Sequence, residues 1–337
     1  MQAITIGLDI AKSVFQVHGE AAGQVVLTKR LRRSQVVEFF AKLSPARIGI
    51  EACGSAHHWG RTLRELGHEV VLIPAAYVKP FVRRNKTDAR DAAAICAALG
   101  RPDMRFVPIK SVAQQAARGL ERARELVVKQ QTQLRNHVRS QLAELGIVAA
   151  QGQKGFAALV AVLEAGDERV PAVLLSVLRL LVSQIAALAK AIFILEKQIV
   201  ARARENEAMR RLATIPGVGP LTAHAIVTAI GDGRQFDSAR DFAAWCGLTR
   251  RVDQSADKRR ERGISRQGEM RLRKLLALGA STVMRHLRGR PDRASEWQRG
   301  ILARRPIKVA VMAQAARNAR IAWALLRSGD SYRGAAA

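Results

Sequence analysis

The run NKTDARDA places Asp88 and Asp91 three residues apart, between Lys86 and Arg90. On a helix, residues three apart share a face, so the two carboxylates are expected to point the same way. Like charges that close are unfavourable without a cation between them. Lys86 or Arg90 offers one; a divalent metal offers another, and hard carboxylate oxygens favour Mg2+ or Mn2+. Two further acids end apolar runs, Asp9 in IGLDIAK and Glu51 in IGIEACG. An acid after a buried strand is costly unless it is used, and the crevice of an open α/β sheet lies outside the carboxyl ends of its strands. Singly, each acid reads equally well as a loop residue or an N-cap. Together, Asp9, Glu51, Asp88 and Asp91 are expected to converge on two metal ions that clamp the attacking and leaving oxygens of a phosphodiester.

Charge points to the same substrate. The 337 residues hold 56 Lys+Arg against 28 Asp+Glu, a formal net charge of +28. The basic residues are interleaved with apolar ones along the chain rather than gathered in a tail. Such an excess calls for a polyanion: nucleic acid first, an anionic membrane surface second. Cys53, Cys96 and Cys246 are far apart and form no zinc spacing, which fits a reducing cytoplasm. MQAITIGLDIAK lacks the features of a signal peptide. The apolar stretch 171–200 is broken by Arg179, Lys190, Glu196 and Lys197, so no bilayer span is expected. The expectation is a cytoplasmic, nucleoid-associated protein without a membrane partner.

The elements that must position these residues fall into three regions. Residues 1–105 read as α/β: strands at AITIGLD, SVFQVHGE and QVVLTKRL, then ARIGIEA and HEVVLIP, with helices at SQVVEFFAKL, HHWGRTLRELG and near 87–99. Residues 106–205 read as a helical arm. There Leu178, Leu181, Ile185, Leu188, Ile192, Leu195 and Ile199 alternate spacings of three and four, a heptad seam of about three repeats. It is either a coiled coil or an antiparallel helix pair within one subunit. Residues 206–337 read as mostly helical and close on the long helix RPIKVAVMAQAARNARIAWALLRSG.

The third region opens on LATIPGVGPLTAHAIVTAIGD, whose turn resembles a helix-hairpin-helix. Gly217 and Gly219 would let backbone approach a phosphate, unless the turn is merely tight. An Arg-rich stretch follows, with Arg250, Arg251, Lys258, Arg259 and Arg260 as candidate nucleic-acid contacts and Ser255 and Ser265 as hydroxyls among them. Ser265 has the look of an N-cap for SRQGEMRLRKLL. Arginine's planar fork suits phosphate, but a serine needs a base or a metal to become nucleophilic, and none is evident locally. His57 and His58 are adjacent and so make a poor metal pair; Trp245, Trp297 and Cys53 read as packing residues.

IGLDIAK, IGIEACG and NKTDARDA resemble the signatures of the DEDD-type transposases of bacterial insertion sequences. LATIPGVGPLTAHAIVTAIGD, FAAWCGLTRR and ISRQGEMRLRKLL are similar to that family's C-terminal domain, in the same order along nearly the full chain. The resemblance implies an N-terminal RuvC-like (RNase H-fold) catalytic domain, with Asp9, Glu51, Asp88 and Asp91 as the metal-binding set. It also implies a site-specific recombinase guided by a noncoding bridge RNA that pairs with donor and target DNA. Counted from GLT, the family's nucleophilic serine falls on Ser255; the family's following Gly is here Ala256. The expected assembly is a homodimer or homotetramer. Two other readings stand beside it: a RuvC-like junction resolvase using metal-activated water, and a nonenzymatic architectural nucleic-acid binder with structural acids.

If phosphate contacts dominate, binding of duplex DNA will fall by about 10^3 to 10^5 between about 50 and 200 mM salt, as counterion release by roughly six to ten contacts requires. Affinity measured across that range checks it; a flat response overturns the polyanion reading.

Overall fold

A computed structural model describes residues 4–82, 87–255 and 258–333, with backbone alone at Ser255, Lys258, Arg259 and Glu261. The chain divides into two compact units, Met1–Gln115 and Ala116–Ala337.

In the first unit, β1 (Thr5–Ile10), β2 (Val14–Ala21) and β3 (Gln24–Arg32) form an antiparallel meander. The β2–β3 turn puts Ala22 and Gly23 at φ of 50° and 78°, the left-handed pair that a two-residue hairpin needs. Helix α1 (Val36–Ala41) leads to β4 (Arg47–Glu51), and α2 (Ala56–Glu65) leads to β5 (Glu69–Ile73). Both of these strands run parallel to β1, giving a mixed sheet of order β3-β2-β1-β4-β5. Then come the short α3 (Ala75–Val78) and α4 (Asp88–Leu99).

Side chains alternate between the two faces of a strand. Ile6 and Leu8 of β1, with Ile48 and Ile50 of β4, pack with Val36 and Phe40 of α1 and Trp59 and Leu63 of α2 in one core. The opposite face of β1 carries Gly7 and Asp9, and α4 lies on it. The approach is so close that a Cβ on Gly7 would sit 2.0 Å from the Ala92 carbonyl oxygen and 2.5 Å from the Cys96 nitrogen. One strand over, a Cβ on Gly49 would meet Leu99 at 3.1 Å and Ile95 at 3.3 Å. The glycines of IGLD and IGIE therefore make room for α4.

In the second unit, α5 (Val112–Glu144), α6 (Gln153–Ala165) and α7 (Ala172–Glu205) form the arm. α5 and α7 run antiparallel: Arg124 pairs with Glu196 at 2.5 Å, and Gln131 Nε2 donates to the Ile185 carbonyl at 3.2 Å. Leu178 and Ile185 of the predicted seam are buried with Val138 and Leu142 of α5 and Leu159 and Leu163 of α6. Of the two readings of the seam, the described helices show the intrachain pair. By length and composition α7 is apolar enough to cross a bilayer, but Arg179 donates to the Leu163 and Glu164 carbonyls of α6 and Glu196 is engaged by Arg124.

Beyond the arm lie α8 (Glu207–Leu212), α9 (Pro220–Ile230), α10 (Ala239–Trp245), the hairpin β6 (Arg250–Ser255) and β7 (Lys258–Ile264), α11 (Met270–Gly289), α12 (Glu296–Arg304) and α13 (Ile307–Ser328). Leu212, Ile226, Phe242, Leu276 and Met284 build the core with the alanine face of α13 at Ala310, Ala315, Ala319 and Ala322. Two features differ from the sequence expectation. The Arg-rich run forms a β-hairpin, which its charged composition conceals because it lacks apolar alternation. And Ser265 is not an N-cap. Its amide donates to the Thr249 carbonyl at 2.8 Å, Arg266 and Gly268 turn left-handed at φ of 56° and 73°, and the helix starts only at Met270.

Gly7→Ala is expected to push α4 off β1 and to destabilise the first unit by about 1–3 kcal/mol, the range for overpacking a close-packed contact. A thermal melt that matches the wild type overturns this.

Candidate functional site

The close seating of α4 determines what meets Asp9. Thr87 caps the helix, its side chain accepting from the Arg90 amide at 3.4 Å. Asp88 and Asp91 occupy the first turn, where the helix dipole favours negative charge. That turn arrives over the face of β1 that Asp9 shares with Gly7. One carboxylate oxygen each from Asp9, Asp88 and Asp91 lie within 4.8 Å of one another. Asp9 and Asp91 are half-buried and Asp88 is exposed.

Glu51 is outside that group of three. Leu8 and Ile50 are register partners on the parallel strands β1 and β4, so Glu51 follows on the same face as Asp9, one strand further over. Both acids act on Cys53: its thiol is pushed above the ordinary value by burial first, then by the charge of Glu51, then by that of Asp9. Thus the fold gathers three of the four acids and sets the fourth beside them at the strand ends. Lys86, one of the two cations considered for the aspartate pair, lies outside the described residues.

The oxygens suit a hard divalent cation. Ligands at about 2.1 Å around an octahedral ion stand about 3 to 4.2 Å apart, which small side-chain rotations reach from this arrangement. His57 is not part of it: its Nδ1 accepts from the Lys110 amide at 3.2 Å, while His58 lies edge-on to Trp59.

In the second unit, Ser255 ends β6 with Lys258 as its register partner; Ala256 lies outside the described residues. Gln254 pairs with Arg259 and Asp253 with Arg260 across the hairpin, so β7 sets two arginine positions beside the serine end of β6. Arg251 and Arg262 both bind the Asp253 carboxylate, at 3.0 and 2.7 Å. Arg250 begins β6, at the other end from the serine.

The two turn glycines differ. Gly217 has φ of +85°, and its Cβ would strike the Gly279 carbonyl of α11 at 2.8 Å. Helix packing and a left-handed turn account for it. Gly219 caps α9 with nothing within 4 Å of its Cβ position, so it leaves that helix end open.

A buried ionic cluster escaped the sequence reading. Glu121 of α5, 4 % exposed, binds His224 Nδ1 of α9 at 2.5 Å and also Arg271 of α11. His224 Nε2 is buried without a hydrogen-bond partner among the described residues. One carboxylate thereby ties the arm to both helices. A histidine inside the apolar helix PLTAHAIVTAI was the available signal, because a buried ring nitrogen needs a partner.

Two protein-family models match the chain. One, described as Transposase and of the DEDD IS110 type, covers residues 6–147, which include all four acids. The other, described as Transposase IS116/IS110/IS902 family, covers residues 209–296, which include the hairpin. A "Probable family 20 transposase" of Pseudomonas aeruginosa is 44% identical, over 99% of both chains. The transposase for insertion sequence element IS1111A of Coxiella burnetii is 38% identical over 97% of this chain and 91% of its own. A pilin gene-inverting protein of Moraxella bovis is 42% identical over 20% of this chain and 21% of its own.

Cys53 reports on the acids. Thiolate, not thiol, is the form that alkylates, so the Glu51 and Asp9 charges slow its reaction at mildly alkaline pH. Glu51→Gln is expected to speed iodoacetamide labelling of Cys53 severalfold, and Asp9→Asn to do so less. Unchanged rates in both variants would place the acids away from the thiol.

Proposed function

The chain belongs to the DEDD-type transposases of insertion sequences, enzymes that process DNA, and from that premise we propose that it cuts and rejoins DNA through a serine nucleophile working with a metal-holding acidic site. The observation that carries this reading is the meeting of Asp9, Asp88 and Asp91 within 4.8 Å. The sheet order β3-β2-β1-β4-β5, with its antiparallel first three strands and parallel last two, supports a RuvC-like, RNase H-fold assignment for residues 1–105. Residues 106–205 then serve as the arm, and residues 206–337 as the domain that presents the serine.

In this reading Asp9, Asp88 and Asp91, with Glu51 beside them, hold Mg2+ or Mn2+. When bound, the ions supply charge neutralisation at the reacting phosphate. The Ser255 hydroxyl attacks phosphorus: an Oγ–P bond forms, the bond from phosphorus to the 3′ oxygen breaks, and that oxygen leaves as a 3′ hydroxyl. The serine gives up its proton as it attacks, and the departing oxygen takes up a proton. Lys258, Arg259 and Arg260 balance charge on the nonbridging oxygens, and Arg250 and Arg251, further along β6, contact the nucleic-acid backbone. The uncrowded backbone at Gly219, behind the turn at Gly217, lets a phosphate approach closely. Rejoining is the reverse attack by a 3′ hydroxyl on the phosphoserine. A noncoding guide RNA selects donor and target DNA, and a homodimer or homotetramer holds the two duplexes. The +28 charge supports nucleic acid as the partner.

Ser255→Ala is expected to abolish covalent protein–DNA adducts while the protein still copurifies with RNA. Adducts that persist in Ser255→Ala and vanish in Ser265→Ala overturn the serine assignment. Adducts absent from the wild type itself favour hydrolysis by water.

A further inference from the structure

A concentration of cations in the second unit lies away from the serine end of the hairpin. Between the opposite end of the β6–β7 hairpin and the corner joining α12 to α13 runs a groove of about 880 Å3. Six cations line it: Arg250, Arg262, Arg266, Arg304, Arg305 and Lys308, all exposed. Among the described residues no carboxylate lines it. Arg262 shares Asp253 with Arg251, and Arg304 uses its Nε on the Gly300 carbonyl of its own helix at 2.9 Å.

Arg304 and Arg305 stand in the last turn and at the C-cap of α12, where the helix dipole favours cations, but helix stability does not explain Lys308 in the first turn of α13. A cation there opposes the positive end of the helix dipole, and six like charges around one groove repel one another. Such an arrangement is stable when a polyanion lies in it.

We propose that this groove seats one sugar-phosphate strand of the DNA duplex being cut, an inference that rests on the transposase reading. Between the cations the lining is apolar, with Ile301, Val309 and Met312. Among the described residues it contains no serine, threonine, asparagine or glutamine. Proteins that single out RNA do so through its 2′ hydroxyl, and this lining has no uncharged polar side chain to meet one. Apolar contact suits deoxyribose. The location also fits. Arg250 to Ser255 is five residues of strand, about 16 Å at about 3.3 Å per residue. Measured along a duplex axis, that is about five base-pair rises at about 3.4 Å each. A strand anchored in the groove and following the hairpin brings a phosphate to the serine.

The test uses the full-length protein and the triple variant Arg304→Ala, Arg305→Ala, Lys308→Ala. Each is titrated against a duplex DNA of about 30 base pairs and a duplex RNA of the same sequence, over about 50–200 mM salt. Three lost phosphate contacts are expected to lower the slope of log K against log salt for DNA by about 2.7, at about 0.9 per contact, with the RNA slope unchanged. Arg304→Lys, Arg305→Lys, Lys308→Arg is expected to keep the wild-type slope. If the alanine triple fails to fold, Lys308→Ala alone is expected to lower the slope by about 0.9. An unchanged DNA slope overturns the proposal, and so does an RNA slope that falls in step with it. Wild-type adduct formation, measured in parallel, tests the serine reading: a wild type without adducts but with the slope change leaves the groove standing and that reading fallen.

Discussion

The contact between the backbone of α4 and Gly7 of β1 governs the candidate site. With hydrogen rather than carbon on that face of the strand, the helix comes down onto the sheet, and a Cβ would land 2.0 Å from the Ala92 carbonyl. Strand alternation then puts Asp9, two residues on, beneath the start of the same helix. The first turn of α4 carries Asp88 and Asp91, so three like charges are pressed together. Like charges that close call for a cation among them, and the hydrophobic seating of Ile95, Ala98 and Leu99 lies further along the helix, away from the charged turn.

The second unit solves the opposite problem, an excess of positive charge. Where an acid is buried there, it joins elements: Glu121 holds α5 to α9 and α11 through His224 and Arg271. Removing one partner from such a cluster leaves an uncompensated buried charge, which is far costlier than never having placed it. On the hairpin and at the α12–α13 corner the described cations face solvent, while the apolar interior of α13 packs in the core behind them. The relatives match across both units. They are transposases, and nothing in them favours a junction resolvase that works with water alone.

The two groups of candidate residues were not equally legible in the sequence. Asp9 and Glu51 stand out because each ends an apolar run, and Asp88 and Asp91 because of their helical spacing. The heptad positions of α7 are likewise plain in the sequence, but not that Leu178 and Ile185 pack against α5 and α6 of the same chain. The hairpin at 250–264 left no trace: its strands are held by cross-strand pairing between charged residues, and neither alternation nor β-branched content announces them. Ser265 shows the same limit, since a serine before an apolar run looks like a cap until the left-handed turn at Arg266 and Gly268 delays the helix to Met270.

By itself the sequence determined the strands of the first unit, the helical character of the arm and the excess of positive charge, and it singled out the acids as candidates. These follow from periodicity and composition, which are local. Only the tertiary structure decided that Asp9, rather than Glu51, closes with the aspartate pair. Only it showed that Gly217 serves packing against α11, that Glu121 finds His224 a hundred residues away, and that Arg304, Arg305 and Lys308 share a groove with Arg250. Those outcomes depend on which surfaces touch, and distances between remote residues are set by how side chains fill space rather than by the order in which they are strung.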